Sequence, residues 1–210
     1  SLTGCASTKQ ADSDSSLGKA QQTLDSLYQH YSAKDSYLLR ESYPFDEQHK
    51  VTYLASEDQA NTPNQFSYLW PYSGTFSAVN ALFEATHDKK YQKLLDKRVL
   101  PGLEEYFDIQ RTPNAYSSYI QTAPTSDRFY DDNVWLGIDF TDIYQITQEK
   151  RYLDKAQLIW KFIESGTDSL LGGGIYWCEQ KKESKNTCSN APGSVPVSYT
   201  HLRAHETAAN

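Results

Sequence analysis

A nine-residue pattern recurs 61 positions apart. Phe83-Glu84-Ala85-Thr86-His87-Asp88-Lys89-Lys90-Tyr91 returns as Tyr144-Gln145-Ile146-Thr147-Gln148-Glu149-Lys150-Arg151-Tyr152, matching Thr86 to Thr147 and Tyr91 to Tyr152. In each copy an apolar helical pattern ends, a short charged turn follows, and a second helical pattern begins near the tyrosine. The repeating unit is a helical hairpin of about 60 residues, and such units must stack to bury their apolar faces. Stacked hairpins either continue as an open solenoid or close into a ring. About three units fit between residues 16 and 197, whereas a six-hairpin ring needs roughly twice that. The same shift carries Trp70 onto Asp131, so the loop Tyr68-Leu69-Trp70-Pro71 and the loop holding Asp131 are expected to open at one end.

Helical spacing dominates the rest of the chain. Ala20, Leu24, Leu27, Tyr28 and Tyr31 share one face, as do Phe76, Val79, Leu82 and Phe83. Leu94, Leu95, Val99 and Leu103 follow, with Pro101 placed to bend or break the helix. Ile138, Phe140, Ile143 and Tyr144 begin another helix, and Tyr152, Ala156, Ile159, Trp160 and Ile163 another. Strand character is confined to the Gly172–Trp177 run, which suits a short hairpin arm. The predicted class is all-α. With 16 Tyr, 4 Trp and 8 Phe the chain has ample core material, and such aromatics serve equally as packing or as a platform for flat, hydroxylated ligands. An excess of 27 acidic over 20 basic side chains excludes a general nucleic-acid binder, which needs a basic face. A mean hydropathy of -0.70 leaves no apolar run of about 20 residues to span a membrane.

The ends carry their own signals. Ser1-Leu2-Thr3-Gly4-Cys5, followed by a polar run to about Gly18, resembles the lipobox of bacterial lipoproteins. That resemblance implies acylation of Cys5 and a flexible tether over residues 1–17, anchoring the protein at the bacterial cell envelope (outer-membrane surface or periplasm). Met is absent, even at position 1, which fits a processed chain or a fragment. Cys178 and Cys188 lie in a Lys/Ser/Asn-rich loop and, outside the cytoplasm, are expected to close a disulfide. Zinc is not expected there, since no His or second Cys pair lies nearby. Residues 198–210 resemble a translated sequencing-adaptor read-through and are taken as a non-native tail. His201, His205 and Glu206 within it are discounted as metal ligands.

The densest chemical cluster is Asp127-Arg128-Phe129-Tyr130-Asp131-Asp132-Asn133-Val134-Trp135, just before a helix. Adjacent carboxylates suit glycosidic cleavage, one attacking or stabilising the oxocarbenium-like centre and the other protonating the leaving oxygen. Like-charge repulsion raises the pKa of one partner and keeps a proton available near neutrality. Aspartates at a helix start also cap amides and favour the dipole, so catalysis and capping both stand. An EF-hand ligand pattern, a phosphate-binding glycine loop, a nucleophile elbow and a Cys/His arrangement are all missing from the sequence. Trp70 with Tyr72, and Tyr176 and Trp177 with Glu179, form two further aromatic stretches suited either to sugar stacking or to packing.

Tyr68-Leu69-Trp70-Pro71-Tyr72-Ser73-Gly74, then Asp131-Asp132-Asn133-Val134-Trp135-Leu136-Gly137, the Gly172–Trp177 run and Ser184–Gly193 together resemble glycoside hydrolase family 76. The resemblance implies an (α/α)6 toroid of which residues 18–197 hold the N-terminal half, about the first three hairpins. It implies endo-acting, retaining hydrolysis of α-1,6-mannan, a polysaccharide substrate, by a monomer with no cofactor and no metal. Asp131 takes the place of the nucleophile and Asp132 that of the general acid/base. Trp70, Asn133, Trp135 and Trp177 are carried over as cleft residues. Two other readings compete: a non-catalytic glycan-binding lipoprotein built as an open helical repeat, and a mannan transglycosidase. The first accounts for the lipobox, the hairpins and the aromatics but not for the adjacent aspartates, and the bacterial-looking N-terminus argues against the second.

Overall fold

The computed structural model describes residues 12–48 and 64–195; Cys5 and the segment 198–210 lie outside the described residues. Helix α1 spans Ser16–Tyr31, α2 Leu69–Thr86, α3 Lys89–Leu94, α4 Leu100–Glu104, α5 Tyr130–Thr147 and α6 Lys150–Ser165. A further helix, α7, starts at 187 and is described to 195. A π turn over Leu95–Val99 joins α3 to α4, making one continuous helical rod. The fold is all-α, as its periodicity predicts.

The 61-residue shift is exact in three dimensions. It maps the bounds of α2 onto those of α5, and the rod from Lys89 to Glu104 onto α6. The turns correspond atom by atom. Thr86 Oγ1 donates to the Leu82 carbonyl (2.6 Å) and Thr147 Oγ1 to that of Ile143 (2.7 Å). Each threonine then accepts the amide two residues on, from Asp88 (3.2 Å) and Glu149 (3.3 Å). Between them, His87 (φ 53) and Gln148 (φ 58) end their helices in the left-handed conformation.

Pro101 does not break the rod. The Leu100 amide donates to Leu95, five residues back, and this wider turn absorbs the proline's missing donor. The Val99 carbonyl accepts the Tyr72 hydroxyl instead (2.8 Å), tying the rod to α2.

Burial separates an outer from an inner layer. On α6 the buried residues Tyr152, Ala156, Ile159, Phe162 and Ile163 form one stripe and the opposite face is exposed. On α5, Tyr130, Asp132, Asn133, Val134, Leu136, Asp139, Phe140 and Ile143 are buried around the helix, whereas α2 buries Leu69, Tyr72, Phe76, Val79, Leu82 and Phe83 and leaves a stripe through Trp70, Gly74, Ser77, Ala81 and Glu84 exposed. The inner helices meet through Phe76 and Phe140, edge to face with centroids 4.8 Å apart. Full burial of Phe76, Ile159 and Phe162 contributes roughly 2–3 kcal/mol each. Gly166, at the end of α6, lies so close to the Tyr130 ring that a Cβ there would fall 2.4 Å from it. The α6 terminus therefore sits flush against the start of α5.

Two short strands, β1 (Phe107–Asp108) and β2 (Ala115–Tyr116), pair antiparallel between the rod and α5. The Gly172–Trp177 run, expected as a hairpin arm, is not one. Gly172, Gly173 and Gly174 all take positive φ, and the neighbouring chain makes isolated one-residue bridges, Thr167 to Ile175 and Phe129 to Cys178.

Candidate active site

Because α2 and α5 are related by the repeat, their first turns face the same end of the layer. There a cavity of about 240 Å³ is lined by Tyr68, Trp70, Ser118, Phe129, Asp131, Asp132 and Trp177. Three chain segments far apart in sequence thus bring together Trp70, both aspartates and Trp177. The repeat also relates two lining residues that motif reading passed over. Tyr68 and Phe129 are the residues just before α2 and α5, exactly one shift apart, so the same arithmetic that paired Trp70 with Asp131 identifies them. Ser118 has no comparable signal; its carbonyl accepts the Leu69 amide (2.8 Å) and its amide donates to Asp127 (2.8 Å).

The Asp131 carboxyl takes amides of the first turn and also lines the cavity, so the capping and cleft readings meet in one residue. The cap position of α5 is Phe129, whose side chain makes no capping bond, and Asp131 and Asp132 stand inside the first turn. The dipole favours their charge there, but burial opposes it. Burial raises the Asp131 carboxyl above its usual range, offset in part by the Asp132 amide, the Cys188 thiol and its own amide. Its Oδ1 has no hydrogen-bond partner among the described residues. Asp132 is 7 % exposed and is driven well above the carboxylate range, first by burial and then by the Asp131 charge. Both carboxyls are thus raised, Asp132 the further, so of the two Asp132 holds a proton more tightly. Two neighbouring carboxyls of unequal proton affinity are the chemistry that acid–base and nucleophilic steps call for.

Two expected cleft residues stand elsewhere. Asn133 is fully buried, and both ends of its amide are engaged: Oδ1 accepts the Tyr116 amide (3.0 Å), and Nδ2 donates to the carbonyls of Tyr116 (2.9 Å) and Phe129 (2.8 Å). It pins β2 to α5 and cannot reach a ligand. Trp135 is 45 % exposed, one turn along from Asp131, and does not line the cavity. Trp70 is 62 % exposed and Trp177 half-buried, so each presents ring surface to the cleft.

The expected disulfide is also corrected: Cys178 and Cys188 are free thiols. Cys178 is buried behind the bridge to Phe129, faces Gln180 Oε1 at 3.8 Å, and is pushed up to about 11 by burial. Cys188 stands on the first turn of α7 with its thiol hydrogen-bonded to Asp131. The two sulfurs are committed to different partners. Among the described residues no group of His, Cys, Asp or Glu is assembled to hold a metal ion.

Comparison with known proteins bears on the family and the fold. The glycosyl hydrolase family 76 model matches residues 41–195. The family 76 mannosidase Bt3792 from Bacteroides thetaiotaomicron VPI-5482 superposes with a TM-score of 0.73 at 30% identity, over 91% of this chain and 49% of that one. A family 76 glycoside hydrolase from a bovine Bacteroides thetaiotaomicron strain gives 0.71 at 27% identity, over 92% and 40%. An inactive variant of the α-1,6-mannanase GH76A of Salegentibacter sp. HEL1_6, in complex with α-1,6-mannotetrose, shares the fold with a TM-score of 0.64 at 21% identity, over 91% and 47%. The chain thus spans about half the length of these structures or less. Among curated proteins there is no match.

Proposed function

The chain belongs to glycosyl hydrolase family 76, and from that membership we propose that it serves endo-acting cleavage of α-1,6-linked mannan with retention of anomeric configuration. The observation that carries the proposal is the Asp131–Asp132 pair: adjacent carboxyls of unequal proton affinity within an aromatic cavity. In the first step the Asp132 O–H protonates the glycosidic oxygen while the Asp131 carboxylate attacks the anomeric carbon. The C–O bond breaks, the shortened chain leaves as an alcohol, and a mannosyl ester forms on Asp131. Asp132, now a carboxylate, takes a proton from water as that water displaces Asp131, restoring both groups. Trp70 and Trp177, with Tyr68 and Phe129, offer flat faces to the pyranose rings. The mannoside specificity of Bt3792 and the linkage cleaved by the Salegentibacter enzyme are consistent with this substrate.

The test uses Asp131→Asn. Release of oligosaccharides from α-1,6-mannan is expected to fall by roughly 10³-fold or more, while binding of α-1,6-mannotetraose by calorimetry persists. Undiminished turnover would move the nucleophile to another residue. A wild-type protein that holds mannan and never shortens it would make the cleft a binding site.

A further inference from the structure

Among the described residues Arg128 is the largest fully buried side chain, and it lies three residues before Asp131. Every face of its guanidinium is occupied. Nε and Nη2 donate to Glu179 Oε1 (3.1 Å) and Oε2 (2.6 Å) in a two-pronged pair. Nη1 donates to the Pro113 carbonyl (2.8 Å) and lies 3.6 Å from Asp108 Oδ2. Its carbon stands 4.8 Å over the Phe162 ring. Fully buried and held on these partners, Arg128 is unavailable to a ligand.

The backbone repeats the same connection. The Glu179 amide donates to Arg128 (3.0 Å), the Tyr130 amide donates to Trp177 (2.9 Å), and Gln180 Oε1 accepts the Arg128 amide (2.7 Å). Phe129 and Trp177, on opposite sides of this seam, bring their rings within 5.1 Å. The two walls of the cleft are therefore joined along one line, with the Arg128–Glu179 pair at its buried end.

The walls are unequally supported. The aspartates ride on α5, which Asn133 also ties to β2, so their place is fixed twice. Trp177 stands on an irregular loop three residues beyond the positive-φ glycines, and its own amide donates only to Ser184 (3.2 Å). Loosening the seam moves the tryptophan before it moves the carboxyls.

We propose that Arg128 and Glu179 are positioning residues that set the Trp177 wall against the Asp131–Asp132 edge, and so govern how tightly a sugar is gripped more than how fast its bond is cut. The inference rests on the mannan-cleaving reading for its substrate. In Glu179→Gln, KM for α-1,6-mannotetraose is expected to rise about 10-fold with kcat within about threefold. In a Trp177→Ala background the same substitution should change KM by less than about twofold, because the residue it acts through is gone. Equal effects in both backgrounds, or a fall in kcat with KM unchanged, would overturn the proposal. Should Glu179→Gln leave Arg128 too poorly compensated to fold, the paired change Arg128→Met with Glu179→Leu removes both buried charges together. A ligand-free readout separates this inference from the functional one. In a protein carrying Trp70→Phe, Trp135→Phe and Trp160→Phe, the remaining Trp177 fluorescence should be quenched by acrylamide about twice as fast once the pair is broken. Unchanged quenching rejects the positioning role even if no mannan is cleaved, whereas faster quenching without mannan cleavage rejects only the substrate.

Discussion

Second place on a helix recurs at and beside the cleft, where Trp70 and Asp131 line the cavity and Cys188 bonds to Asp131. Trp70 is the second residue of α2, Asp131 of α5 and Cys188 of α7. The third of these bears on the chemistry of the second. The Cys188 thiol donates a hydrogen bond that favours the ionised Asp131, acting against burial and alongside the two first-turn amides. The charged form of Cys188 is disfavoured by burial and then by the Asp131 charge, so the sulfur keeps its proton and remains a donor. Replacing Cys188 with Ala removes that donor and leaves the carboxyls of Asp131 and Asp132 facing each other. The Asp131 pKa then rises further, and the acid limb of kcat/KM against pH should move to higher pH. Cys188→Ser supplies a hydroxyl in the same place and should restore the limb. A limb that stays put in Cys188→Ala would remove the thiol from the ionisation of Asp131.

At the scale of the element, the repeat also shows where the fold carries strain. His87 and Gln148 close equivalent helices with positive φ, a conformation that costs a side-chain-bearing residue roughly 1 kcal/mol relative to Gly. His87→Gly and Gln148→Gly should each raise unfolding free energy by about 0.5–1 kcal/mol, and their sum should be additive in urea denaturation. Both turns lie at the far end of their helices from the cleft, so mannan cleavage should be unchanged; a loss of activity would show that the two ends are coupled. These turns were also the most legible part of the sequence, because a helix end is written locally in its Thr, its left-handed residue and its next acidic residue. The paired aspartates and Trp70, each at a helix start, were legible for the same reason. What was not legible depends on contacts from elsewhere in the chain. Two-residue strands such as Phe107–Asp108 leave no alternation to detect. Whether Asn133 faces the cleft or β2 depends on the strand packed against it, and the thiol partners depend on how the Trp177 loop and α7 settle on α5.

Over the whole molecule, layering decides what the acidic residues do to stability. A helix packed over most of its surface, as α5 is, buries polar groups along with apolar ones, and Asp139 is such a group. It is 5 % exposed on α5, accepts a hydrogen bond from Ser77 Oγ of α2 (2.8 Å), and has its carbonyl bound by Asn80 Nδ2 (2.9 Å). Burial raises its carboxyl to about 7, the Ser77 bond opposing and Asp142 assisting. The folded protein therefore holds a proton that the unfolded chain releases above about 3.8. The sign follows: this contribution to stability is complete below pH 3.8, falls by about 1.4 kcal/mol per pH unit up to about 7, and is flat beyond. The total loss is on the order of 4 kcal/mol. Asp132 and Asp142, also raised chiefly by burial, act in the same direction. Asp96 and Asp108 act oppositely. Burial raises them too, but hydrogen bonds from Arg151 and Tyr152 to Asp96, and from Arg111 to Asp108, outweigh it, so their contribution is lost only in stronger acid. Stability should accordingly be greatest on the acid side of neutrality. Asp139→Asn keeps the shape and an acceptor for Ser77 while removing the proton. Urea denaturation across pH should show the variant equal to or slightly below wild type near pH 4 and more stable above pH 7, with a shallower slope between. Parallel curves for the two proteins would mean that Asp139 is ionised in the folded state, and that the α2–α5 contact tolerates a buried charge.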